Sequence, residues 1–381
     1  MKSRRRPRVL LSTSNDIATD NRVHKVAMLL QELGFEVLWV GRRWSHSPSL
    51  DRPYATHRMK LFFRRGGLFY AEFQLRLFFY LLTHRSAVYV SNDLDTLLPN
   101  YLASRLFGRA LVYDTHEYFC GVPEIQGRWV RHVWLAVERS LFPRLTHVWT
   151  VNQSIADLYY QDYGIRPGVF RNINPFPANF QRRSRRELGL PEDALIAINQ
   201  GSGMNVDRGL EEALEAVLNL PRPWMLLLVG SGDAIPALKA KVTARGAEDR
   251  VHFVDRVPYH QLLQYTAAAN VGLSLDKSTN INYRLSLPNK LFDYIHCGLP
   301  VVTSPVVEVR RIVEAFGIGE TVDPEAIDAL AQAIDRVGRQ GSKYQEALQK
   351  ASAALTWERE SQELRSFYSQ LLAQVDTRPP A

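Results

Sequence analysis

The chain has 381 residues, of which 46% are apolar and 23% are charged, and its formal net charge is +8. This composition is ordinary for a folded globular protein and excludes a largely disordered chain, and the length predicts two or three domains of roughly 150 residues each. The cysteines, Cys120 and Cys297, are far apart. Their spacing excludes a disulfide framework and a Cys-x-x-Cys site and favours a reducing compartment.

The positive charge is concentrated in the first half of the chain. Residues 1–175 contain 24 Lys and Arg against 14 Asp and Glu, a balance of +10, whereas the remainder has 23 against 25, a balance of −2. Such a field favours nucleic acid, an anionic membrane surface or a phosphorylated substrate, without distinguishing among them. We interpret the start, MKSRRRPRVLL, as a basic tail leading into a strand, since its apolar run is too short for a signal peptide. No run of 18 apolar residues predicts a membrane span.

The first half alternates apolar strands with amphipathic helices. The predicted strands are 8–14, 36–42, 87–93, 110–117 and 147–152. Between the first two, one helical stripe holds Val23, Val26, Ala27, Leu30 and Leu33. Asp20 is the predicted N-cap of this helix and Gly34 lies just beyond its end.

The second half repeats the pattern, with predicted strands at 194–201, 224–232, 251–257, 270–275 and 299–304. Apolar strands that alternate with helices predict an α/β fold of two doubly wound, Rossmann-like domains facing across a cleft. The Pro-containing, basic stretch 164–188 is the linker candidate. We expect domains at 1–175 and 176–355, then at 356–381 a helix that can pack back on the N-terminal domain and a frayed Pro-Pro tail.

Two glycine-rich turns follow strands of the second half, QGSGMNVDRGLEEAL (200–214) and VGSGDAIPAL (229–238). Neither completes G-x-G-x-x-G, because the sixth position is apolar in both, so a dehydrogenase has weak support. Each is either a plain tight turn or a loop whose backbone N–H groups approach a phosphate. In the second interpretation Gly201, Gly203 and Gly230 lie next to the ligand.

A lysine in the first turn of a helix is the oddity of SLPNKLFDYIHCGLPVVTS (286–304). There the helix dipole disfavours a cation by about 0.3–1 kcal/mol unless an anion lies nearby. Lys290 has this position, and Arg208 repeats it at the start of another predicted helix. One explanation is an i,i+3 ion pair between Lys290 and Asp293. The other gives Lys290 a diphosphate and Asp293 the hydroxyls of a ribose.

Polar residues follow two strands of the first half. Asp114, His116 and Glu117 end ALVYDTHE. In one interpretation Asp114 or Thr115 caps a following helix and His116 is an ordinary loop histidine, and in the other His116 and Glu117 hold sugar hydroxyls or a reacting group. Asn92-Asp93-Leu94-Asp95 contains D-x-D, a metal-binding pattern in some sugar-transfer enzymes, but its position predicts that Asp93 or Asp95 is a helix N-cap. The sequence has no GxSxG or HExxH, so serine hydrolases and zinc proteases have no support.

Together these segments resemble the family 4 retaining glycosyltransferases of the GT-B fold over nearly the whole chain. The most specific of them is SLPNKLFDYIHCGLPVV (286–302). The others are TDNRVHKVAMLLQELGFEV (19–37), SNDLDTLLPNYLASRLFGRALVYDTHEYF (91–119), VNQSIADLYYQDYG (151–164) and QGSGMNVDRGLEEAL (200–214).

The resemblance implies transfer of a sugar, with retention, from a nucleotide diphosphate sugar to a glycan or lipid-linked acceptor. It implies a hexosyltransferase-like enzyme of class EC 2.4 that needs no metal or other cofactor and no nucleic acid. It gives catalytic roles to His116, Arg208 and Lys290. The implied donor-binding residues are Gly201, Gly203, Gly230, Asn289, Leu291 and Asp293, and the implied acceptor-side residues are Arg22, Asp93, Asp114 and Glu117.

Two positions depart from the family pattern. Leu285 occupies the place of a glutamate that in many members holds the donor sugar, and Ser202 the place of a common arginine. An epimerase on the same fold and a non-catalytic sugar-binding protein are the alternatives. We expect a cytoplasmic protein, peripheral at the inner face of the membrane.

The stretch 59–85 is rich in both arginine and phenylalanine. It is either a covered helix whose aromatic side chains fill the core, or a helix that lies in a lipid interface. In the second interpretation the protein binds anionic vesicles reversibly and in a salt-sensitive way.

Overall fold

The computed structural model describes residues 6–45 and 47–376, and the chain divides into two compact units. The first unit contains the described residues up to Asn172 together with those from Ser361 onward, and the second is Ile173–Glu360. The start of the predicted basic tail (1–5) and the Pro-Pro tail (377–381) lie outside the described residues.

The first unit contains a seven-stranded parallel sheet. Its strands are β1 (Arg8–Asp16), β2 (Glu36–Arg43), β3 (Ala55–Lys60), β4 (Val88–Asn92), β5 (Ala110–Thr115), β6 (Val148–Thr150) and β7 (Gly168–Val169). They run in the order β3-β2-β1-β4-β5-β6-β7, and every neighbouring pair is parallel. Strands β3 and β7, at the two edges, were not predicted.

Five helices connect these strands: α1 (Asn21–Glu32), α2 (Gly66–Thr83), α3 (Leu97–Phe107), α4 (Val130–Leu141) and α5 (Gln153–Tyr163). The predicted ends of α1 are confirmed. Asp20 Oδ1 accepts a hydrogen bond of 3.0 Å from the backbone N–H of Val23, and Gly34 has φ +98° just beyond the last turn.

The second unit contains a six-stranded parallel sheet in the order β10-β9-β8-β11-β12-β13. Its strands are β8 (Leu195–Gly201), β9 (Trp224–Gly230), β10 (Val251–Val254), β11 (Val271–Ser274), β12 (Val301–Thr303) and β13 (Gly319–Thr321). Its helices are α6 (Leu210–Asn219), α7 (Ile235–Ala244), α8 (Tyr259–Ala268), α9 (Ile281–Arg284), α10 (Asn289–His296), α11 (Val307–Phe316), α12 (Ile327–Arg339) and α13 (Gln345–Ala354). The last helix, α14 (Trp357–Asp376), begins in the second unit and continues into the first.

Each unit has its own core, because the central strands are covered by helices and their apolar residues are buried. Trp39 and Phe73 are fully buried in the first unit, and Trp224 and Phe292 in the second. The predicted α/β class with two doubly wound, Rossmann-like domains is confirmed. Polar residues collect where strands end, at the carboxyl edge of each sheet, which is where ligands of such sheets bind.

The core interpretation of the stretch 59–85 describes only one face of α2. Phe69 and Phe73 are buried, whereas Leu75 and Phe79 on the same helix are exposed. In the part of the chain that the structure describes, no helix combines the length and the apolar character that crossing a membrane requires.

Candidate active site

Two glycine loops begin side by side at the carboxyl edge of the second sheet. Gly201 at the end of β8 is paired with Gly230 at the end of β9. The backbone N–H of Ser231 donates to Gly201 O at 3.1 Å, that of Met204 to Ser231 O at 3.0 Å, and that of Ala234 to Met204 O at 3.2 Å. The two loops therefore hold each other in one conformation.

Backbone sterics explain two of the glycines in these loops but not the third. Gly201 has φ +144° and Gly230 has φ +138°, and a Cβ on Gly230 would overlap the carbonyl oxygen of Gly201. Gly203 has an ordinary φ, and a Cβ there would meet no atom within 4 Å. The fold thus requires Gly201 and Gly230, whereas the space beside Gly203 is open to a ligand.

Arg208 lies one residue before Gly209, the N-cap of α6. Its Nη1 is 3.0 Å from Oδ2 of Asp276, a residue that follows β11 and whose side chain is only 2% exposed. The guanidinium also lies 3.9 Å from the ring centroid of Tyr283. A carboxylate on one side and an aromatic ring on the other hold Arg208 in place.

Lys290 is the second residue of α10, and its Nζ donates to Asn199 Oδ1 at 3.1 Å. Burial lowers the pKa of Lys290, nearby Asp276 opposes this, and Arg208 lowers it further. Lys290 and Asp293, both in the described part of the chain, do not form the predicted i,i+3 ion pair. Asp276 is the carboxylate that interacts electrostatically with both cations.

Asp293 lies inside the second unit, with its side chain buried. Its carboxylate accepts hydrogen bonds from Tyr259 Oη at 2.8 Å and from Gln200 Nε2 at 3.2 Å. Its role toward a ribose stays a prediction. Leu291 is fully buried in the core and presents no side chain to a ligand, whereas Asn289 is half-buried at the start of α10.

In the first unit His116 lies directly after β5, beside two carboxylates. Its Nδ1 is 3.4 Å from Asp93 Oδ2, its Nε2 is 3.5 Å from Asp114 Oδ2, and its backbone N–H donates to Asp93 Oδ1 at 2.8 Å. Burial acts to lower the pKa of His116, but Asp93 and Asp114 raise it to about 9. The two neighbouring carboxylates thus favour the protonated imidazole, whose ring N–H groups can donate hydrogen bonds.

A buried ion pair holds Asp114. Its Oδ1 is 2.7 Å from Arg22 Nη2 and its Oδ2 is 3.1 Å from Arg22 Nε, while Arg22 Nη1 donates to Phe170 O at 3.1 Å. Burial acts to raise the pKa of Asp114, but Arg22 and His116 lower it to about 2. Arg22, Asp114, His116 and Asp93, which the sequence predicted as site residues, are thus in contact. Glu117 is exposed beside them.

In the D-x-D pattern Asp93 occupies the N-cap position, as predicted, but its side chain makes no capping hydrogen bond. Asp93, at φ +62°, precedes a 3₁₀ turn, but its side chain bonds to His116 instead of capping the turn. Asp95 accepts a hydrogen bond from Ser14 Oγ, and burial together with the carboxylate of Asp93 raises its pKa to about 7. Among the described residues no three His, Cys, Asp or Glu side chains form a group that could hold a metal ion.

Asp276 and Asn199, the partners of Arg208 and Lys290, were not predicted from the sequence. Asn199 lies in β8 and Asp276 lies two residues beyond β11, its neighbour in the sheet. A polar residue at the carboxyl end of an otherwise apolar strand was the available signal.

Two family profiles match the chain. The profile described as Glycosyl transferase 4-like domain matches residues 19–173, and that described as Glycosyl transferases group 1 matches 180–354. The chain belongs to the family 4-type glycosyltransferases of the GT-B fold. None of the curated protein sequences matches it significantly.

Solved structures show the same fold. This glycosyltransferase is similar to sucrose-phosphate synthase from Thermosynechococcus elongatus at 20% identity and a TM-score of 0.79, covering 97% of this chain and 100% of that one. It is similar to Anabaena HepE, solved with UDP-glucose, at 17% identity and a TM-score of 0.70, covering 97% and 98%. It is also similar to WaaG, a glycosyltransferase involved in lipopolysaccharide biosynthesis, at 16% identity and a TM-score of 0.70, covering 97% and 100%.

Proposed function

We propose that this glycosyltransferase moves a sugar from a nucleotide diphosphate sugar to a glycan or lipid-linked acceptor, with retention of configuration and without a metal ion. The observation that carries the proposal is the pair of cations, Arg208 and Lys290, around the single carboxylate of Asp276. Two cations against one carboxylate favour an anion that brings its own negative charges, such as a diphosphate.

The same groups act on the reaction step. When the bond between the anomeric carbon and the diphosphate breaks, negative charge grows on the leaving phosphate, and positive groups fixed beforehand stabilise that charge. Arg208 and Lys290 are fixed by Asp276, Tyr283 and Asn199. The N–H groups at the start of α10 add to this field, since no side chain caps that helix. These residues do the work that a divalent cation does in metal-dependent enzymes.

His116 is proposed to orient the donor sugar. The Nε2 of His116 is buried and makes no hydrogen bond within the described residues, so the protonated imidazole can donate from this nitrogen to a sugar oxygen while the acceptor attacks from the face that the diphosphate leaves. The new bond from the acceptor oxygen to the anomeric carbon then replaces the old one on the same face, and the departing diphosphate oxygen takes the proton of the acceptor hydroxyl. The solved structure of HepE with UDP-glucose supports a nucleotide sugar as the donor class.

The experiment incubates the full chain with UDP-, GDP-, ADP- and dTDP-sugars, with and without mixed glycan and lipid-linked acceptors. Acceptor-dependent release of the nucleoside diphosphate in the presence of EDTA is the expected result, and NMR of the product gives its anomeric configuration. Arg208→Ala and Lys290→Ala should lose activity. Arg245→Ala, which removes an exposed arginine of the same unit that pairs with Glu215, is the matched control and should keep it. Conversion of the nucleotide sugar without an acceptor would instead identify an epimerase, and an inverted product would refute retention.

A further inference from the structure

The outer face of α2 is apolar although it faces solvent. Phe69, Phe73 and Leu77 point into the core of the first unit, while Leu75 and Phe79 are 60% and 63% exposed. A helix that is apolar all round is normally buried on all sides. In this unit α2 has only its inner side covered, so its outer face needs another explanation.

The exposed apolar area extends beyond α2. Of the eleven large apolar side chains that are exposed in the described part of the chain, nine lie between residues 62 and 133. They are Phe62, Phe63, Leu68, Leu75, Phe79, Leu102, Leu106, Trp129 and Val133. The second unit, of similar size, has one, Val206. The exposed side chains are therefore concentrated on one unit rather than scattered over the surface.

These side chains lie on neighbouring elements. Helix α3, which carries Leu102 and Leu106, packs beside α2. Trp129, 73% exposed just before α4, lies with its indole next to Gly67 at the start of α2. We call the exposed side chains of α2, α3 and the start of α4, with Phe62 and Phe63, the α2–α4 surface.

The charges on this surface are positive. Arg64, Arg65, Arg105 and Arg128 are exposed on or beside it. The carboxylate of Glu72, the only one on α2, is bound by Arg76 and by the backbone N–H groups of Phe62 and Phe63. Helix α3 has no acidic residue, and Glu138 of α4 is fully buried. Exposed aromatic and aliphatic side chains with arginines around them match an interface of acyl chains and anionic headgroups.

A second copy of this chain fits the surface less well. In a two-fold interface the same patch meets itself, so arginines would face arginines with few exposed carboxylates to offset them. We infer that the α2–α4 surface docks on an anionic lipid bilayer, with Phe62, Leu75, Phe79 and Trp129 entering the interface and Arg64 and Arg65 contacting headgroups. This inference extends the proposed function by placing the acceptor side of the enzyme at a membrane. Its test does not depend on turnover.

The test is flotation of the full chain with two kinds of vesicle, one of phosphatidylcholine alone and one that also contains about 30% anionic phosphatidylglycerol, at low and at high salt. We expect binding to the anionic vesicles at low salt and release at high salt. Each surface arginine near such a bilayer contributes about a five-fold gain in partitioning, so Arg64→Glu with Arg65→Glu should weaken binding by at least about 30-fold. Leu75→Gln with Phe79→Gln should abolish it.

Matched controls separate the surface from general effects. Arg183→Glu with Arg186→Glu makes the same change in net charge at exposed positions of the second unit, and Tyr160→Gln removes an exposed aromatic ring that lies on α5. Both controls should float like the unaltered chain. No flotation at low salt, or equal loss in the charge control, would overturn the inference. A dimer in solution that Leu75→Gln with Phe79→Gln makes monomeric, without vesicle binding, would assign the surface to a second copy instead.

Discussion

Removal of Arg208 should have two separable effects, one on the empty protein and one on anion binding. In the unliganded unit Arg208 is the ion-pair partner of Asp276 at 3.0 Å, and the Asp276 side chain is 2% exposed. At an effective dielectric constant of about 20, two unit charges at that distance attract by roughly 5 kcal/mol. Arg208→Ala therefore leaves a buried carboxylate without its main partner.

The net loss is smaller than the attraction. Arg208 is 26% exposed, so part of its interaction is screened, and Lys290 continues to stabilise the carboxylate. We expect Arg208→Ala to lower the free energy of unfolding by about 2–3 kcal/mol, below the roughly 3–5 kcal/mol typical of a broken buried pair. For a unit of this size, that corresponds to a decrease in Tm of roughly 4–12 °C.

Asp276→Asn separates the two effects, because it removes the internal anion and keeps the cations. Its stability should also fall, and in the double variant the losses should not add, with a coupling energy of about 2 kcal/mol. Pyrophosphate has no nucleotide base and therefore probes the diphosphate site alone. Its affinity should change in opposite directions in the two single variants. Arg208→Ala should weaken it by roughly 10- to 150-fold, the value of a charge-assisted hydrogen bond, whereas Asp276→Asn should strengthen it.

Denaturant unfolding of the unaltered chain, the two single variants and the double variant gives the coupling energy, and isothermal titration calorimetry with pyrophosphate gives the affinities. Additive stability losses would show that the pair of Arg208 and Asp276 carries no coupling. If Asp276→Asn weakened pyrophosphate binding as much as Arg208→Ala, Asp276 would be a support for the loop and not an internal counter-ion. Either result would refute the reasoning.

Three further predictions concern the glycine loops and His116. Gly230→Ala should unfold at a lower denaturant concentration, since its Cβ would overlap Gly201 O. Gly203→Ala should keep its stability but bind a nucleoside diphosphate more weakly, which thermal shift with UDP, GDP, ADP and dTDP would measure. His116→Ala should lower turnover far more than nucleotide affinity, because the cations lie in the other unit; loss of affinity alone would contradict this. The pKa of His116 is raised from 6.5 to about 9 in the folded protein. Protonated His116 therefore stabilises the fold by up to about 3 kcal/mol below pH 6.5, and this contribution disappears as pH rises through about 9. The stability difference from His116→Gln should therefore shrink between those values, and a constant difference would contradict the raised pKa.

The central strands could be predicted because their sequences are uninterrupted apolar runs. β3 reads ATHRMK and lies at a sheet edge, where most of its side chains are exposed, and β7 and β13 have only two and three residues. Elements of this kind are fixed by their neighbours in the sheet and not by their own composition.

Candidate site residues could be named from the sequence, but the pairings among them could not. Lys290 and Arg208 are unusual in sequence because each is a cation at the start of a helix, and this local fact identified them. Their shared partner, Asp276, is 68 residues from Arg208 in the chain, and only the parallel order of the sheet brings them together. The side-chain partner of Asp93 was missed for the same reason, since His116 follows the next strand.

Asp276 also bears on how the cycle ends. After transfer, the leaving nucleoside diphosphate must dissociate before another donor can bind, and two cations with no internal partner would retain it strongly. Under the proposed function, the buried carboxylate that pairs with Arg208 would compete with the product for that arginine and would pair with it again as the product departs. The same ion pair that stabilises the empty site would then speed product release, the step that limits turnover in many enzymes.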